Sequence, residues 1–140
     1  MRILLDTNIV MDIALGREPH LADSADIFRA IDNESIYGFV TATTITDIYY
    51  VAKRVRGHQI TIDFISNLLE IVDVIGIDKR IVFASLMSDF IDFEDTIQSV
   101  SSHLNRIDYI ITRHQKNFIK SEAPTITPNE FLALLKKKKL

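Results

Sequence analysis

The chain opens Met1-Arg2-Ile3-Leu4-Leu5-Asp6-Thr7-Asn8. A short apolar run ends on an acid, and a hydroxyl residue and an amide follow at once. This pattern predicts a buried strand over residues 3–5 that delivers the Asp6 carboxylate to its C-terminal tip. A helix then starts, capped by Thr7 or Asn8. In open α/β folds the crevice beyond the strand C-termini is where ligands bind and chemistry is done. Whether the chain has that fold depends on how often the strand-then-helix pattern recurs.

It recurs throughout. A helix is expected over 8–15, stopping near Gly16, and a second over 20–31 with Leu21, Ala25, Phe28 and Ile31 on one face. A strand follows over 36–42, then helices over 43–55 and 59–72, the first closed by Gly57 and the second with Ile62, Ile65, Leu69 and Val72 in register. Residues 74–77 read as a short strand, and 79–88 and 92–104 as helices. Strands are expected over 109–112 and 125–127, and a last helix over 129–135. Strands alternating with helices predict an α/β fold, a mainly parallel sheet covered on both faces. Right-handed crossovers place the strand C-termini along one rim.

Length and composition set the class. At 140 residues the chain has the size of one domain. It is expected to fold over residues 1–135, with 136–140 as a solvated basic tail. The 47% hydrophobic fraction is that of a globule. No cysteine is present, which excludes disulfides and thiolate metal sites. No apolar run reaches the ~18 residues that span a bilayer, so a cytoplasmic protein without a membrane partner is expected. The net charge of −3 means that nucleic-acid binding would need a local basic patch.

Three acids stand near predicted helix starts. Asp6 is either an N-cap or a metal-ligating carboxylate. Asp47 lies in the first turns of its helix, with Thr43, Thr44, Tyr50, Val51 and Arg54 on the same side. There it either compensates the helix dipole or ligates a metal that the helix end favours. In Asp92-Phe93-Glu94-Asp95, Asp92 reads as a cap and Asp95 as the ligand candidate. The expected buried stripe of that helix is Phe93, Ile97, Val100 and Leu104. Asp95 points away from it and borders a polar stripe of Thr96, Ser99 and His103. Carboxylates without His or Cys partners select Mg²⁺ or Mn²⁺ over zinc. Such an ion activates water and neutralises charge on a phosphate.

Several segments together resemble the PIN domain family. They are residues 4–12 (LLDTNIVMD), 16–19 (GREP), 46–50 (TDIYY), 92–95 (DFED), 108–113 (DYIITR) and 124–131 (PTITPNEF). Their order and spacing carry the likeness, which spans nearly the whole chain. The resemblance implies a three-layer α/β/α fold with a central five-stranded sheet. It implies a metal-dependent ribonuclease of the VapC toxin type, restrained by an antitoxin protein and commonly a homodimer. The acidic centre maps onto Asp6, Asp47 and Asp95, with Thr7, Asn8, Thr112 and Asn117 in support. The chain departs from the family at two places. Asp47 stands where Glu or Asn is usual, and Asn117 stands where an acid is expected. A fourth carboxylate is therefore expected to be missing, which favours one ion over two.

Arg54, Arg113, His114 and Lys116 are the candidate contacts to RNA phosphates. Tyr49 and Tyr50 are candidates for stacking on unpaired bases. Two functions are consistent with this pattern. The first is an Mg²⁺- or Mn²⁺-dependent endoribonuclease acting on single-stranded RNA. The second is a degenerate PIN domain that binds RNA or protein without catalysis. An aspartyl-phosphate phosphatase fits poorly, because Asn8 occupies the position of its second acid.

Overall fold

A computed structural model describes residues 1–138. In chain order the elements are β1 (Arg2–Leu5), α1 (Thr7–Leu15), α2 (Leu21–Asp32), β2 (Tyr37–Thr41), α3 (Ala42–Arg56), α4 (His58–Ile71), β3 (Asp73–Ile75) and α5 (Lys79–Leu86). They continue with α6 (Phe93–Leu104), β4 (Tyr109–Ile111), β5 (Thr125–Ile126) and α7 (Pro128–Lys138). A 3₁₀ turn, Gln115–Phe118, follows β4 and was not expected from the sequence. The other elements stand where the pattern predicts, with ends shifted by a few residues.

The five strands lie in the order β3-β2-β1-β4-β5. Every neighbouring pair is parallel. Side chains of β1 alternate between the two faces of the sheet, as strand geometry requires. Ile3 and Leu5 join Ile9 and Val10 of α1, Ile27 of α2, Ile48 of α3, Leu68 of α4 and Phe131 of α7 in one apolar cluster. Leu4 faces the opposite cluster with Phe39, Ile75, Ile110 and Phe118. A parallel sheet needs cover on both faces, and these clusters are that cover.

From β1 the chain crosses to β2 and β3 on one side, then returns to β4 on the other. The order therefore reverses between β1 and β4, which is where open α/β sheets form their crevice. Leu5 pairs with Ile111 in register. The backbone N–H of Asp6 donates to the Ile111 carbonyl at 3.0 Å. Asp6 and Thr112 thus emerge side by side at the strand tips.

Two glycines shape the frame. Gly38 in β2 lets α2 approach bare backbone, since a Cβ there would lie 2.6 Å from Ile31 Cδ1. Gly16 ends α1 in the left-handed region at φ 63°, as a C-terminal glycine commonly does.

Two expectations are corrected. In α6 the buried residues are Thr96, Ile97, Gln98, Ser101 and Ser102. Phe93 and Leu104 remain 36% and 41% exposed. The inward face of α6 is thus mostly small and polar, because it meets the carboxylate of Asp6 through Gln98. At the other end, α7 runs on through Lys138 instead of stopping at 135. Its last-turn lysines sit at the negative end of the helix dipole, which favours continuation. Lys139 and Leu140, the rest of the expected tail, lie outside the described residues.

Phe131 is fully buried, with its ring tilted against Tyr109 of β4 at 6.4 Å between centroids. Phe131→Ala is expected to lower unfolding stability by about 3–5 kcal/mol, read from urea denaturation. That loss would show that α7 belongs to the domain core.

Candidate metal centre

Asp6 is 2% exposed and occupies the N-cap position of α1, yet its side chain makes no capping bond. Its two oxygens are held by tertiary contacts instead. Thr112 Oγ1 donates to Oδ2 at 2.7 Å, and Gln98 Nε2 donates to Oδ1 at 3.1 Å. Thr112 Oγ1 also accepts the backbone N–H of His114 at 2.9 Å, which fixes the hydroxyl. Burying a carboxylate is costly unless it is hydrogen-bonded, and these donors meet that need.

Asp95 is positioned from both sides. Asp92 caps α6, accepting the Asp95 backbone N–H at 3.0 Å, so the reading of Asp92 as a cap agrees with the geometry. Asn117, on the 3₁₀ turn, donates from Nδ2 to Asp95 Oδ2 at 2.9 Å. The amide that replaces the expected acid is therefore a direct partner of Asp95.

The sequence reading missed Glu94. Its carboxyl hydrogen-bonds to Asp47 of α3 and accepts from Thr7 Oγ1 at 3.2 Å. Thr7 in turn shares a 2.8 Å hydrogen bond with Thr44. One solvent-open cleft is lined by Asp6, Asp47, Asp92, Glu94 and Asp95, with Thr7, Asn8, Tyr50, His114 and Asn117 around them. The acid expected at position 117 is absent, and Glu94, next to Asp95 on α6, places a further carboxylate in the same cleft. Gln98 was also missed. Its signal was a glutamine one helical turn beyond Asp95, on the same face.

The expected RNA contacts divide. His114 lines the cleft, whereas Arg54, Arg113 and Lys116 do not. Arg113 instead grips the fully buried Asp12, with Nη2 to Oδ1 at 2.8 Å and Nε to Oδ2 at 3.2 Å. A buried carboxylate needs such a partner, and Arg113 is the one the fold supplies. Tyr50 lines the cleft and is exposed. Tyr49 turns aside to hydrogen-bond His58 Nδ1 at 3.0 Å.

The crowding of acids shows in their protonation. Burial first, then the hydrogen bond and charge of Asp47, push the Glu94 carboxyl from 4.5 up to about 8. Burial and the Asp6 charge push Asp95 from 3.8 up to about 6, against a smaller lowering by Asn117. Glu94 and Asp47 therefore hold a proton between them at neutral pH. Like-charged carboxylates in one site behave this way.

The donor set is all oxygen, which suits a hard divalent cation such as Mg²⁺ or Mn²⁺. Among the described residues, no three acidic or imidazole side chains already stand in a ligand arrangement. Glu94 and Asp47 are joined to each other instead, and a dication would displace the proton between them. The chemistry of the residues fits the ion, and the proton holds the excess charge in its absence.

The PIN domain family model matches residues 2–116, and the chain belongs to the PIN domain family. No curated protein matches it in sequence. Among solved structures it is similar to VapBC2 from Rickettsia felis bound to a promoter DNA fragment. That likeness has a TM-score of 0.69 at 12% identity, covering 91% of this chain and 98% of that one. It is also similar to VapC20 of Mycobacterium tuberculosis, a toxin that cleaves the sarcin–ricin loop, with TM-score 0.62, 10% identity and 77% and 86% coverage. FitAB bound to an IR36 DNA fragment gives TM-score 0.63 at 15% identity, with 90% and 94% coverage. At these identities the likeness establishes the fold.

The raised carboxyls have a consequence for stability. The folded state binds protons more tightly than the unfolded chain at Glu94 and Asp95. Their contribution is therefore complete below about pH 4 and is lost as pH rises through about 6 and then about 8. The melting temperature of metal-free protein is expected to fall across this range. Mn²⁺ or Mg²⁺ should restore it more at pH 8 than at pH 6, and Glu94→Gln should flatten the upper part of the fall. A pH series of thermal melts with and without the ion checks this.

Proposed function

We propose that the chain is an Mg²⁺- or Mn²⁺-dependent endoribonuclease that hydrolyses phosphodiesters of single-stranded RNA. We further propose that it is the toxin of a toxin–antitoxin pair. One observation carries the reading. In a PIN domain chain, Asp6, Asp47, Glu94 and Asp95 line one open cleft at the β1/β4 switch point. The toxin–antitoxin assignment is supported by the fold shared with VapBC2, VapC20 and FitAB. An antitoxin protein is the partner it implies.

Asp6, Asp47 and Asp95, joined by Glu94, are the residues that would hold the ion. A bound divalent ion supplies an activated water and neutralises charge on the phosphate. Thr112 and Gln98 keep Asp6 in one orientation, and Asn117 does the same for Asp95. Thr7 ties Glu94 to α3 through Thr44. His114 stands exposed at the cleft edge. Tyr50 offers an aromatic face beside the acids for an unpaired base.

A homodimer is part of the proposal. Phe83, Leu86, Met87, Phe90, Ile91, Phe93 and Ile119, all exposed, cluster about α5, the start of α6 and the end of the 3₁₀ turn. The charges at the edge of this cluster, Lys120 with Asp89 and His103 with Glu122, are paired within the chain. A largely apolar face with its edge charges paired within the chain suits a second copy. Cytoplasmic location is the matching expectation, and no helix among the described residues is long and apolar enough to cross a membrane.

Purified protein is expected to cut a long unstructured RNA with Mn²⁺ or Mg²⁺ and not with EDTA, and Asp6→Asn is expected to lose the activity while keeping its melting temperature. Retained metal-dependent cleavage by Asp6→Asn would remove Asp6 from the centre. No cleavage by folded wild type, with metal-independent RNA binding, would establish the non-catalytic module instead. For the dimer, light scattering should give twice the 16.0 kDa chain mass for wild type. The double variant Met87→Glu/Ile91→Glu should give the monomer.

A further inference from the structure

The acidic cleft has to admit a polyanion, yet Arg54, Arg113 and Lys116 all stand outside its lining. The permanently charged cation that does line it, among the described residues, is Arg17. The surrounding structure fixes its main chain at both ends. After the left-handed turn at Gly16, the Arg17 N–H donates to the Asp12 carbonyl at 2.9 Å. The Arg17 carbonyl then accepts from Leu21 N–H at 2.8 Å. The position is thus held by backbone bonds, and the side chain is tied by one long ion pair to Asp12.

Its guanidinium is near a carboxylate without being consumed by it. Nη1 lies 3.8 Å from Asp12 Oδ1, beyond hydrogen-bond distance. Both Asp12 oxygens are already engaged by the Arg113 fork at 2.8 and 3.2 Å. One buried carboxylate therefore faces two arginines, and the pair keeps an unbalanced positive charge. Arg17 is the more exposed of the two, at 37% against 22% for Arg113. It forms no side-chain hydrogen bond among the described residues. Arginine's planar fork matches two oxygens of one phosphate, which a lysine cannot do.

We propose that Arg17 is the residue of the cleft that grips the RNA backbone phosphate, with Asp12 and Arg113 as the buried pair that keeps it there. This rests on the reading of the cleft as a ribonuclease site. Arg17 acts on substrate binding and orientation. Asp12 and Arg113 act through it as positioning residues. The ionised acids of the same cleft repel a nucleic acid strand, and Arg17 supplies the local attraction that admits it.

The test compares wild type, Arg17→Gln and Arg17→Lys in cleavage of a single-stranded RNA with Mn²⁺ over a series of salt concentrations. For Arg17→Gln, KM is expected to rise about tenfold or more, the loss of one charged hydrogen-bonding contact. The salt dependence of 1/KM should weaken by about 0.7 in log–log slope, one phosphate on a single strand. Arg17→Lys should recover the slope and only part of the affinity. The melting temperature of both variants should match wild type. Unchanged KM and slope in a wild type that cuts would overturn the role of Arg17 and leave the nuclease reading intact. So would a loss of activity explained by a lowered melting temperature. If wild type does not cut, fluorescence anisotropy of the same RNA decides. Weaker binding with a shallower salt slope in Arg17→Gln upholds the phosphate contact, and equal binding or none overturns it.

Discussion

Mutual repulsion among carboxylates at the ends of parallel strands is the constraint on which the rest of this structure depends. Asp6, Asp47, Glu94 and Asp95 share one cleft, where unit charges at ~4 Å repel by about 4 kcal/mol at an effective dielectric of 20. The protein answers with donors and with protons. Asp6 takes hydrogen bonds from Thr112 and Gln98, Asp95 takes one from Asn117, and Glu94 keeps its proton and shares it with Asp47. A divalent ion entering such a cleft would have to displace the proton that Glu94 and Asp47 hold between them.

The cost of that arrangement appears in α6. Its inward face is threonine, glutamine and serine where an ordinary core helix would place leucine. Gln98, Ser101 and Ser102 are fully buried on that face, with no protein partner for Gln98 Oε1 or the two hydroxyls among the described residues. Such groups are costly to bury. They sit on the helix that carries Glu94, Asp95 and Gln98, so the polarity that aims the acids also leaves unpaired groups behind them. The apolar clusters on both sheet faces, Phe131 and α7 among them, offset that cost.

Arg113 and Arg17 show how one fold gives two arginines opposite duties. Both lie near Asp12. Arg113 is held by two short contacts and closes a buried ion pair, while Arg17 stands just beyond bonding distance and turns to the cleft. A short loop after Gly16 is enough to separate a structural arginine from one that meets solvent.

Much of the fold was legible in the order of residues. Apolar runs of strand length alternating with helical stripes imply a parallel sheet, since nothing else buries both faces. Asp6 at the tip of the first strand marked the rim where the acids gather, and Asp47 and Asp95 line the same cleft from near helix starts. The faces of α6 were not legible. Phe93 and Leu104 have the spacing of a core stripe, but that helix packs through its polar side, and periodicity alone cannot tell which face meets the sheet. Glu94 was passed over because it adjoins Asp95 in sequence, and only the approach of α3 brings Asp47 to it. Arg113 was read as a substrate contact because its charge is visible in the chain, whereas the buried Asp12 that claims it is not. Local sequence determines where a side chain leaves the backbone. Which partner it meets is decided by contacts between residues far apart in the chain, and those exist only once the sheet and its helices have closed.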